Sequence, residues 1–206
     1  MRCVHLYATY KVLHIQLGAH LELLTAHAEY LNHLFPVAFV IMTRKTQIAY
    51  DGVLQYLKRL VPQWEPEVVM VDFEAAIRNA ARLVWPHIRV VGCFFHYAQA
   101  VYRMHTTLWL RPLTEENLEA GKAIDMLMSL CLLPAERAQA GLDVVCHYVR
   151  THGIFQQFRP ILMYMRNTWM RSVGPNTFSV FGQSHRTNNA LEGFYSLLLR
   201  RMGSQP

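Results

Sequence analysis

Three stretches near the start of the chain predict β-strands, and the first of them alternates between apolar and polar positions. They cover residues 4–12, Leu21–Ala28 and Phe35–Met42, and the short links between them contain Gly18 or Asn32. Alternation with a period of two is typical of a strand with one buried face, and short links join antiparallel neighbours. The pattern therefore predicts a meander of three strands.

Helical spacing replaces this alternation after the MTRKT segment. Apolar residues recur with a helical period from about Thr46 and stop at Pro62, which predicts a helix. The continuous apolar run VVMV, residues 68–71, is typical of a strand buried on both faces, and it ends in Asp72. A second amphipathic helix follows and ends at Pro86, and IRVVGCFF predicts another short buried strand. The resulting order, β-β-β-α-β-α-β-α, predicts an α/β fold.

The remainder of the chain is predicted to be helical apart from one loop. Only helical patterns occur from about Phe95 to Met170, and Arg171–Thr187 is a polar segment with Gly, Pro and Ser that predicts a loop. A last helix is predicted to begin near Asn188, because asparagine is a favoured N-cap. Its apolar seam consists of Leu191, Tyr195, Leu198 and Met202.

Composition narrows the class of protein. The length of 206 residues suits one domain with a full core, and the net charge of +6 fits an anionic partner such as nucleic acid. No apolar run is long enough to span a bilayer, and the start of the chain lacks the pattern of a signal peptide. We therefore expect an intracellular protein, nuclear or cytoplasmic, without a membrane partner. The four cysteines are scattered and predict no disulfide framework.

Two carboxylates are candidates for chemistry. Asp72 follows a predicted buried strand, and sites in open α/β sheets gather outside the carboxyl ends of parallel strands. Glu192 lies in the first turn of the last helix. Each also has a structural interpretation: Asp72 as the N-cap of the following helix, and Glu192 as a first-turn residue that stabilises the helix dipole.

At this point the sequence resembles the MULE (Mutator-like element) transposase domain, in the form associated with FLYWCH-type zinc modules in animal genomes. The matching stretches, in chain order, are LLTAHAE, FPVAFVIMTRKTQIAYDGVL, VVMVDFEAAIRNAARLVWP, VVGCFFHYAQAVYR, LCLLPAER and RTNNALEGFY. They cover nearly the whole chain, and as a set they are far more specific than any one of them.

The resemblance implies an RNase H-like fold, with a mixed five-stranded sheet flanked by helices and an all-helical insertion before the last helix. It implies one core over residues 1–206: sheet and helices in 1–110, the helical insertion and loop in 111–187, and the closing helix with the third acid in 188–202. It also implies DDE-type DNA strand transfer by two-metal phosphoryl transfer, with Asp72 and Glu192 as catalytic residues and Mg²⁺ ligands. Mn²⁺ is an alternative ion.

The chain departs from this family pattern at the first acid. The family motif has the form Asp-Gly/Ala-Thr-Phe/Tyr followed closely by Lys, and the matching residues here are Tyr7-Ala8-Thr9-Tyr10-Lys11. Tyr7 therefore stands where the family has its first catalytic Asp. A phenol has a pKa near 10, is neutral at pH 7 and cannot bridge two Mg²⁺ ions. The resemblance thus implies a core whose normal DDE catalysis is impaired.

Other residues are weaker candidates for binding. Lys11 and Arg186 are candidate phosphate contacts, and Asn188 and Asn189 belong to the RTNN motif; ordinary surface polarity is the alternative. Cys93 and His96 have CxxH spacing, but two ligands do not close a zinc site. Further ligands could come from Cys146, His147, His152 and His185, but we favour a buried cysteine and a core histidine, so zinc is not expected. Six aromatics could stack on bases, although their helical spacing favours the core: Trp85, Phe94, Phe95, Tyr97, Trp109 and Trp169.

Two functions stay open on the sequence alone. One is a transposase-derived strand-transfer core with DNA as its ancestral substrate. The other is a non-catalytic, domesticated module that binds DNA or a protein partner through the same fold. The family usually has a zinc-dependent DNA-binding module ahead of this core, and we expect a fragment, a decayed copy or a host-adopted remnant. Homo-oligomerisation is open as well.

Overall fold

A computed structural model describes residues 3–9, 21–187 and 189–202; the side chains of residues 189, 190, 192, 199 and 202 lie outside this description. In chain order, the elements are β1 (Cys3–Thr9), β2 (Glu22–Tyr30), β3 (His33–Met42), α1 (Gln47–Leu60), β4 (Val68–Val71), α2 (Ala75–Val84), β5 (Arg89–Gly92), α3 (Phe94–Thr107), α4 (Arg111–Glu116), α5 (Leu118–Ser129), α6 (Ala138–Thr151), α7 (Phe155–Tyr164), α8 (Pro175–Phe178) and α9 (Asn189–Met202).

The order β-β-β-α-β-α-β-α is confirmed, and with it the α/β class. The strands form one mixed five-stranded sheet in the order β3-β2-β1-β4-β5. Strands β1, β2 and β3 pair antiparallel, as the predicted meander requires, whereas β1 pairs parallel with β4. Two residues with positive φ, Leu31 and Asn32, form the tight turn between β2 and β3.

The chain divides into two compact units. Unit 1 comprises Met1–Val91 and Thr187–Pro206, and unit 2 comprises Gly92–Arg186. Unit 1 contains β1 to β4, β5 as far as Val91, and the helices α1, α2 and α9, whereas unit 2 contains α3 to α8.

One face of the sheet in unit 1 forms a conventional apolar core. Alternate residues of β1, Val4, Leu6 and Ala8, are buried there together with Tyr50 and Leu54 of α1. Helix α1 begins after Thr46, whose hydroxyl accepts a hydrogen bond from the Ala49 amide, as expected for an N-cap. Buried apolar area of this kind is the main stabilising contribution to the fold.

The opposite face of β1 and β2 is polar, and α9 packs on it. Buried His27 and Thr25 lie on this face, and Leu191 and Tyr195 of α9 pack beside them. One donor direction satisfies the contacts: His27 Nε2 donates to Thr25 Oγ1 (3.1 Å), the Thr25 hydroxyl donates to Tyr195 Oη, and Tyr195 donates to the Tyr7 carbonyl (3.4 Å). This chain of hydrogen bonds joins α9 to β1 and β2.

Unit 2 is built around aromatic side chains. The ring of Tyr97 lies 4.5 Å from that of Trp169 and stacks on Phe178 at 5.4 Å, and its hydroxyl donates to the Leu127 carbonyl at 2.8 Å. Between α7 and α8 the backbone continues through wider, π-type turns over Met165–Val173. The predicted helical character of residues 95–170 is confirmed.

The structure corrects three local predictions. The strand in IRVVGCFF ends at Gly92, and Phe94 already begins α3 with Cys93 as its N-cap residue. The predicted loop over 171–187 is helical up to Val173 and again in α8, because Phe178 and Val180 are buried in unit 2. The Gly, Pro and Ser residues around them led to the prediction of a loop.

The third correction concerns the aromatics. The interpretation as core is correct for Trp85, Tyr97 and Trp169, which are at most 2% exposed. It is wrong for Phe95 and for Trp109, which is 85% exposed and has a positive φ of 55°. Trp109 lies in the turn between α3 and α4, so the backbone of the turn, and not a helical period, determines the direction of its side chain.

Burial of His27 makes the stability of the fold depend on pH. Desolvation, followed by the nearby His5, lowers the pKa of His27 to about 4. The unfolded chain therefore binds more protons than the folded one between about pH 6.5 and pH 4, so stability falls as the pH falls through this window. A shift of this size corresponds to about 3 kcal/mol, a large part of a typical folding free energy of roughly 5–15 kcal/mol.

We expect His27→Gln to flatten this dependence. Urea unfolding at a series of pH values from 7.5 to 4.5 should show a slope that is smaller by up to about 1.4 kcal/mol per pH unit than in the wild type. His33→Gln, at the exposed end of the same hairpin, is the matched control and should keep the wild-type slope. An unchanged slope in His27→Gln would contradict the assignment.

Candidate functional site

The parallel pairing of β1 and β4 brings two predicted site residues to one edge of the sheet. The register pairs Cys3 with Val68 and His5 with Met70. Two residues beyond this last pair stand Tyr7, near the carboxyl end of β1, and Asp72, directly after β4. This is the location where open α/β sheets place their sites.

Asp72 has a local structural role that differs from the predicted helix cap. Its Oδ1 accepts a hydrogen bond from the Glu74 amide at 3.0 Å, and α2 begins only at Ala75, after Glu74 as the N-cap residue. The interpretation of Asp72 as the N-cap is therefore wrong. Its carboxylate stabilises the turn that precedes the helix and is half-buried at the end of β4.

Glu74 is a second carboxyl group at this edge that the sequence interpretation missed. Burial, followed by the charge of Asp72, raises the pKa of Glu74, while Lys45 and a hydrogen bond from Tyr50 act in the opposite direction. The Tyr50 hydroxyl donates to Glu74 Oε2 at 3.4 Å, and burial next to these acids raises the pKa of Tyr50. Asp72 and Glu74 thus form an electrostatically coupled pair.

Lys45 and Glu22 complete the cluster on the side of β1 and β2. Lys45 Nζ donates to the Ala8 carbonyl at 3.2 Å and lies 3.3 Å from Glu22 Oε2. The sequence pattern predicts a site role for neither residue, because Glu22 is the first residue of β2 and Lys45 lies in the loop after β3. Of these three residues, only Glu74 could have been recognised in the sequence, because it follows Asp72 at D-x-E spacing directly after a predicted strand.

Tyr7 occupies its position as a packed aromatic residue. Its ring lies 5.2 Å from the ring of Tyr195, and its carbonyl accepts the hydrogen bond from the Tyr195 hydroxyl. Burial raises the pKa of Tyr195 to about 12, so this phenol is neutral at pH 7. The carboxyl end of β1 is therefore filled by two tyrosine rings.

The remaining predicted residues are distributed over both units. Arg186 is exposed in unit 2, where its carbonyl accepts a hydrogen bond from the Phe94 amide. Asn189 is the first residue of α9, and Glu192 lies in the first turn of that helix, as predicted. Lys11 and Asn188, and the side chains of Asn189 and Glu192, lie outside the described residues.

A pair of magnesium ions would place specific requirements on the residues at this edge. Two Mg²⁺ ions require bridging carboxylates from several elements. The described residues supply Asp72, a Glu74 whose pKa is raised and a Glu22 that is paired with Lys45. Tyr7 supplies an aromatic ring in place of a carboxylate. The described part of this edge therefore does not fit a pair of divalent ions.

A compact group of soft and hard ligands occurs elsewhere in unit 1. Among the described residues, Cys3, His5 and Glu29 form the one group of three whose ligand atoms all lie within 4.8 Å of one another. Burial, then the charge of Glu29 and its hydrogen bond, raise the pKa of the Cys3 thiol to about 12. Cys93 and His96, in unit 2, belong to no such group within the described ranges.

The fold and this edge define an α/β protein with a cluster of ionisable residues at the carboxyl ends of two parallel strands. Residues 4–100, slightly less than half of the chain, match the family model of the MULE transposase domain. The matched segment includes Tyr7 and Asp72. The match indicates a transposase-derived function for this segment, with DNA as the implied substrate class. No curated protein matches the chain.

None of the described helices combines the length and the apolar character that crossing a bilayer requires.

The coupling between Asp72 and Glu74 can be tested by removing one charge. Asp72→Asn keeps an oxygen acceptor for the Glu74 amide but removes the negative charge that raises the pKa of Glu74. We expect a lower pKa of Glu74, still above its ordinary value because burial is the larger cause. Carboxyl-carbon NMR titration measures it. Glu22→Gln is the control and should lower it less; an unchanged pKa in Asp72→Asn would refute the coupling.

Proposed function

We propose that the protein is a transposase-derived, RNase H-like core that binds DNA and has lost DDE strand transfer. The observation that carries this proposal is the tyrosine at position 7. It stands beside Asp72 at the ends of paired parallel strands, where the family resemblance expects the first catalytic acid. The match over residues 4–100 supports the transposase origin, and the net charge of +6 supports an anionic substrate.

The loss of catalysis follows from charge. Two-metal phosphoryl transfer needs carboxylates that neutralise and position both ions, one to activate the nucleophile and one to stabilise the leaving oxygen. With Tyr7 neutral, Asp72 and Glu192 are the remaining acids of the expected three. Asp72 is also engaged with the Glu74 amide, a contact that serves the fold. Any residual activity would depend on Mg²⁺, or on Mn²⁺ in its place.

Two further assignments belong to this proposal. The RTNNALEGFY motif lies beyond the matched segment and supports the FLYWCH-associated animal type of the family. Action on chromosomal DNA would place the protein in the nucleus.

A second candidate function is a protein-binding module on the same scaffold. Strand β3 is at one end of the described sheet, and four of its apolar side chains are about half exposed: Phe35 (50%), Val37 (48%), Phe39 (54%) and Ile41 (58%). Exposed apolar rows on edge strands favour contact with another protein. The DNA-binding assay separates the two candidates.

We expect the purified chain to bind a labelled DNA duplex, because a transposase core contacts the phosphate backbone. Fluorescence anisotropy at 50 to 200 mM salt should show an affinity that falls steeply with salt, with a slope of about −0.9 for each phosphate neutralised. An affinity that does not respond to salt, or no binding at 50 mM, would favour the protein-binding module.

Restoring the missing acid tests the loss of catalysis. We expect Tyr7→Asp to gain Mg²⁺ binding by calorimetry, and the additional change Asp72→Ala to abolish this gain. Tyr7→Asn is the matched control, because it removes the same ring and adds polarity without charge. Circular dichroism verifies the fold of each variant.

An activity assay of the wild-type chain can contradict the proposed loss of catalysis. Mg²⁺-dependent nicking or strand transfer by the wild type that disappears in Asp72→Ala would show that Tyr7 does not prevent catalysis, and would refute the proposed loss.

A further inference from the structure

The helical unit carries its charge unevenly along the sequence. No aspartate or glutamate occurs between Asp143 and Glu192, whereas the same stretch contains five arginines. Such a segment has positive charge only, which is typical of a surface that contacts an anionic polymer.

Three of these arginines meet at one cavity of unit 2. Arg150 of α6, Arg159 of α7 and Arg166 of the π-type segment line a cavity of about 260 Å³, together with the buried side chains of Cys146 and Leu162. We call this site the arginine pocket. It therefore combines three cationic side chains with a buried apolar lining.

Helical geometry explains why these residues converge. Cys146 and Arg150 are four residues apart on α6, and Phe155 and Arg159 are four apart on α7, so each pair lies on one face of its helix. Gly153, with a φ of +71°, allows the chain to turn between the two helices. Arg159 and Arg166 are seven residues apart, which is about two helical turns or about 10 Å along a helix, so both lie on the same side of it.

Two of the three guanidinium groups of the pocket contact neutral partners. Arg150 lies over the ring of Phe155 at 4.6 Å, and Arg166 Nη2 donates to Cys146 Sγ at 3.7 Å. Among the ion pairs formed between described residues, none involves Arg150, Arg159 or Arg166. All three side chains are exposed. Their charges are thus oriented toward a cavity and are not neutralised by a described carboxylate.

We propose that the arginine pocket binds a backbone phosphate of a DNA strand. Guanidinium groups match phosphate oxygens through paired N–H donors, and an apolar lining strengthens each charge interaction relative to bulk water. The cavity is smaller than the roughly 300–1,000 Å³ of sites for drug-sized ligands, and its size suits a phosphate with part of its sugar. A DNA strand carries a charge at every nucleotide and can occupy the pocket and its rim together.

The pocket deepens the proposed function, on which it rests, since it assigns part of the DNA contact to the helical unit. It does not depend on Tyr7, on Asp72 or on a metal ion. The contact is a binding contribution, and no chemical step is assigned to it.

The test compares two triple variants of the full chain that remove the same charge. R150Q/R159Q/R166Q removes the pocket, and R59Q/R103Q/R137Q removes three exposed arginines elsewhere. We expect the pocket variant to bind the duplex at least tenfold more weakly at 100 mM salt and to lose about 0.9 of the salt slope for each phosphate released. The control variant should lose about twofold or less. Circular dichroism verifies that both variants fold.

A conservative variant separates geometry from charge. R150K/R159K/R166K keeps the charge of the pocket but lacks the planar guanidinium fork, so an affinity between those of the wild type and the glutamine variant is expected. Full wild-type affinity in the lysine variant would show that the positive charge alone accounts for the binding, and would overturn the proposal.

The remaining outcomes distinguish the pocket from the proposed function. Equal loss of DNA affinity in both glutamine variants overturns the pocket and leaves DNA binding intact. No DNA binding by the wild type overturns the proposed function, and with it DNA as the ligand. A polyglutamate peptide that binds the pocket more tightly than DNA at the same salt also overturns the proposal.

Discussion

The parallel hydrogen bonding between β1 and β4 is the constraint on which the site depends. It joins a strand at the start of the chain to one more than sixty residues later and fixes their register through the pairs Cys3–Val68 and His5–Met70. Because the strands run in the same direction, Tyr7 and Asp72 reach the same edge of the sheet. The α9 helix completes this arrangement through Tyr195, whose hydroxyl and ring contact Tyr7. A shift of register by one residue would turn Tyr7 to the apolar face and disrupt both contacts.

The two units carry charge in opposite ways. At the edge of the sheet in unit 1, the acids Glu22, Asp72 and Glu74 are engaged with Lys45, with a backbone amide and with Tyr50. In unit 2 the arginine pocket has neutral partners among the described residues. Acids that already have partners within the protein stabilise the fold. Arginines that face a cavity without a described carboxylate partner favour the binding of an anion from outside the protein. This contrast supports the proposed DNA contact in unit 2, whereas the proposed loss of strand transfer rests on Tyr7.

The strand and helix order was predictable because burial on one or both faces leaves a period in the sequence. VVMV has an apolar residue at every position, and its strand is almost completely buried. Prediction failed where a contact distant in sequence overrides local composition. Phe178 and Val180 lie in a segment of Gly, Pro and Ser, yet they are buried because Tyr97 stacks on one and the Cys131 carbonyl accepts from the amide of the other. Trp109 fits a helical period and is nevertheless exposed, since a turn with positive φ directs it outward.

Local patterns in the sequence were enough to predict the α/β class, the element order, the position of Asp72 at a strand end and the tyrosine where the family resemblance expects an acid. Each of these features depends on neighbouring residues or on a motif in the chain. The gathering of Lys45, Glu22 and Glu74 around that edge, the packing of Tyr195 on Tyr7 and the cavity shared by three arginines depend on the tertiary fold. Such groupings arise from strand register and helix packing, which bring together residues whose separation in sequence carries no signal.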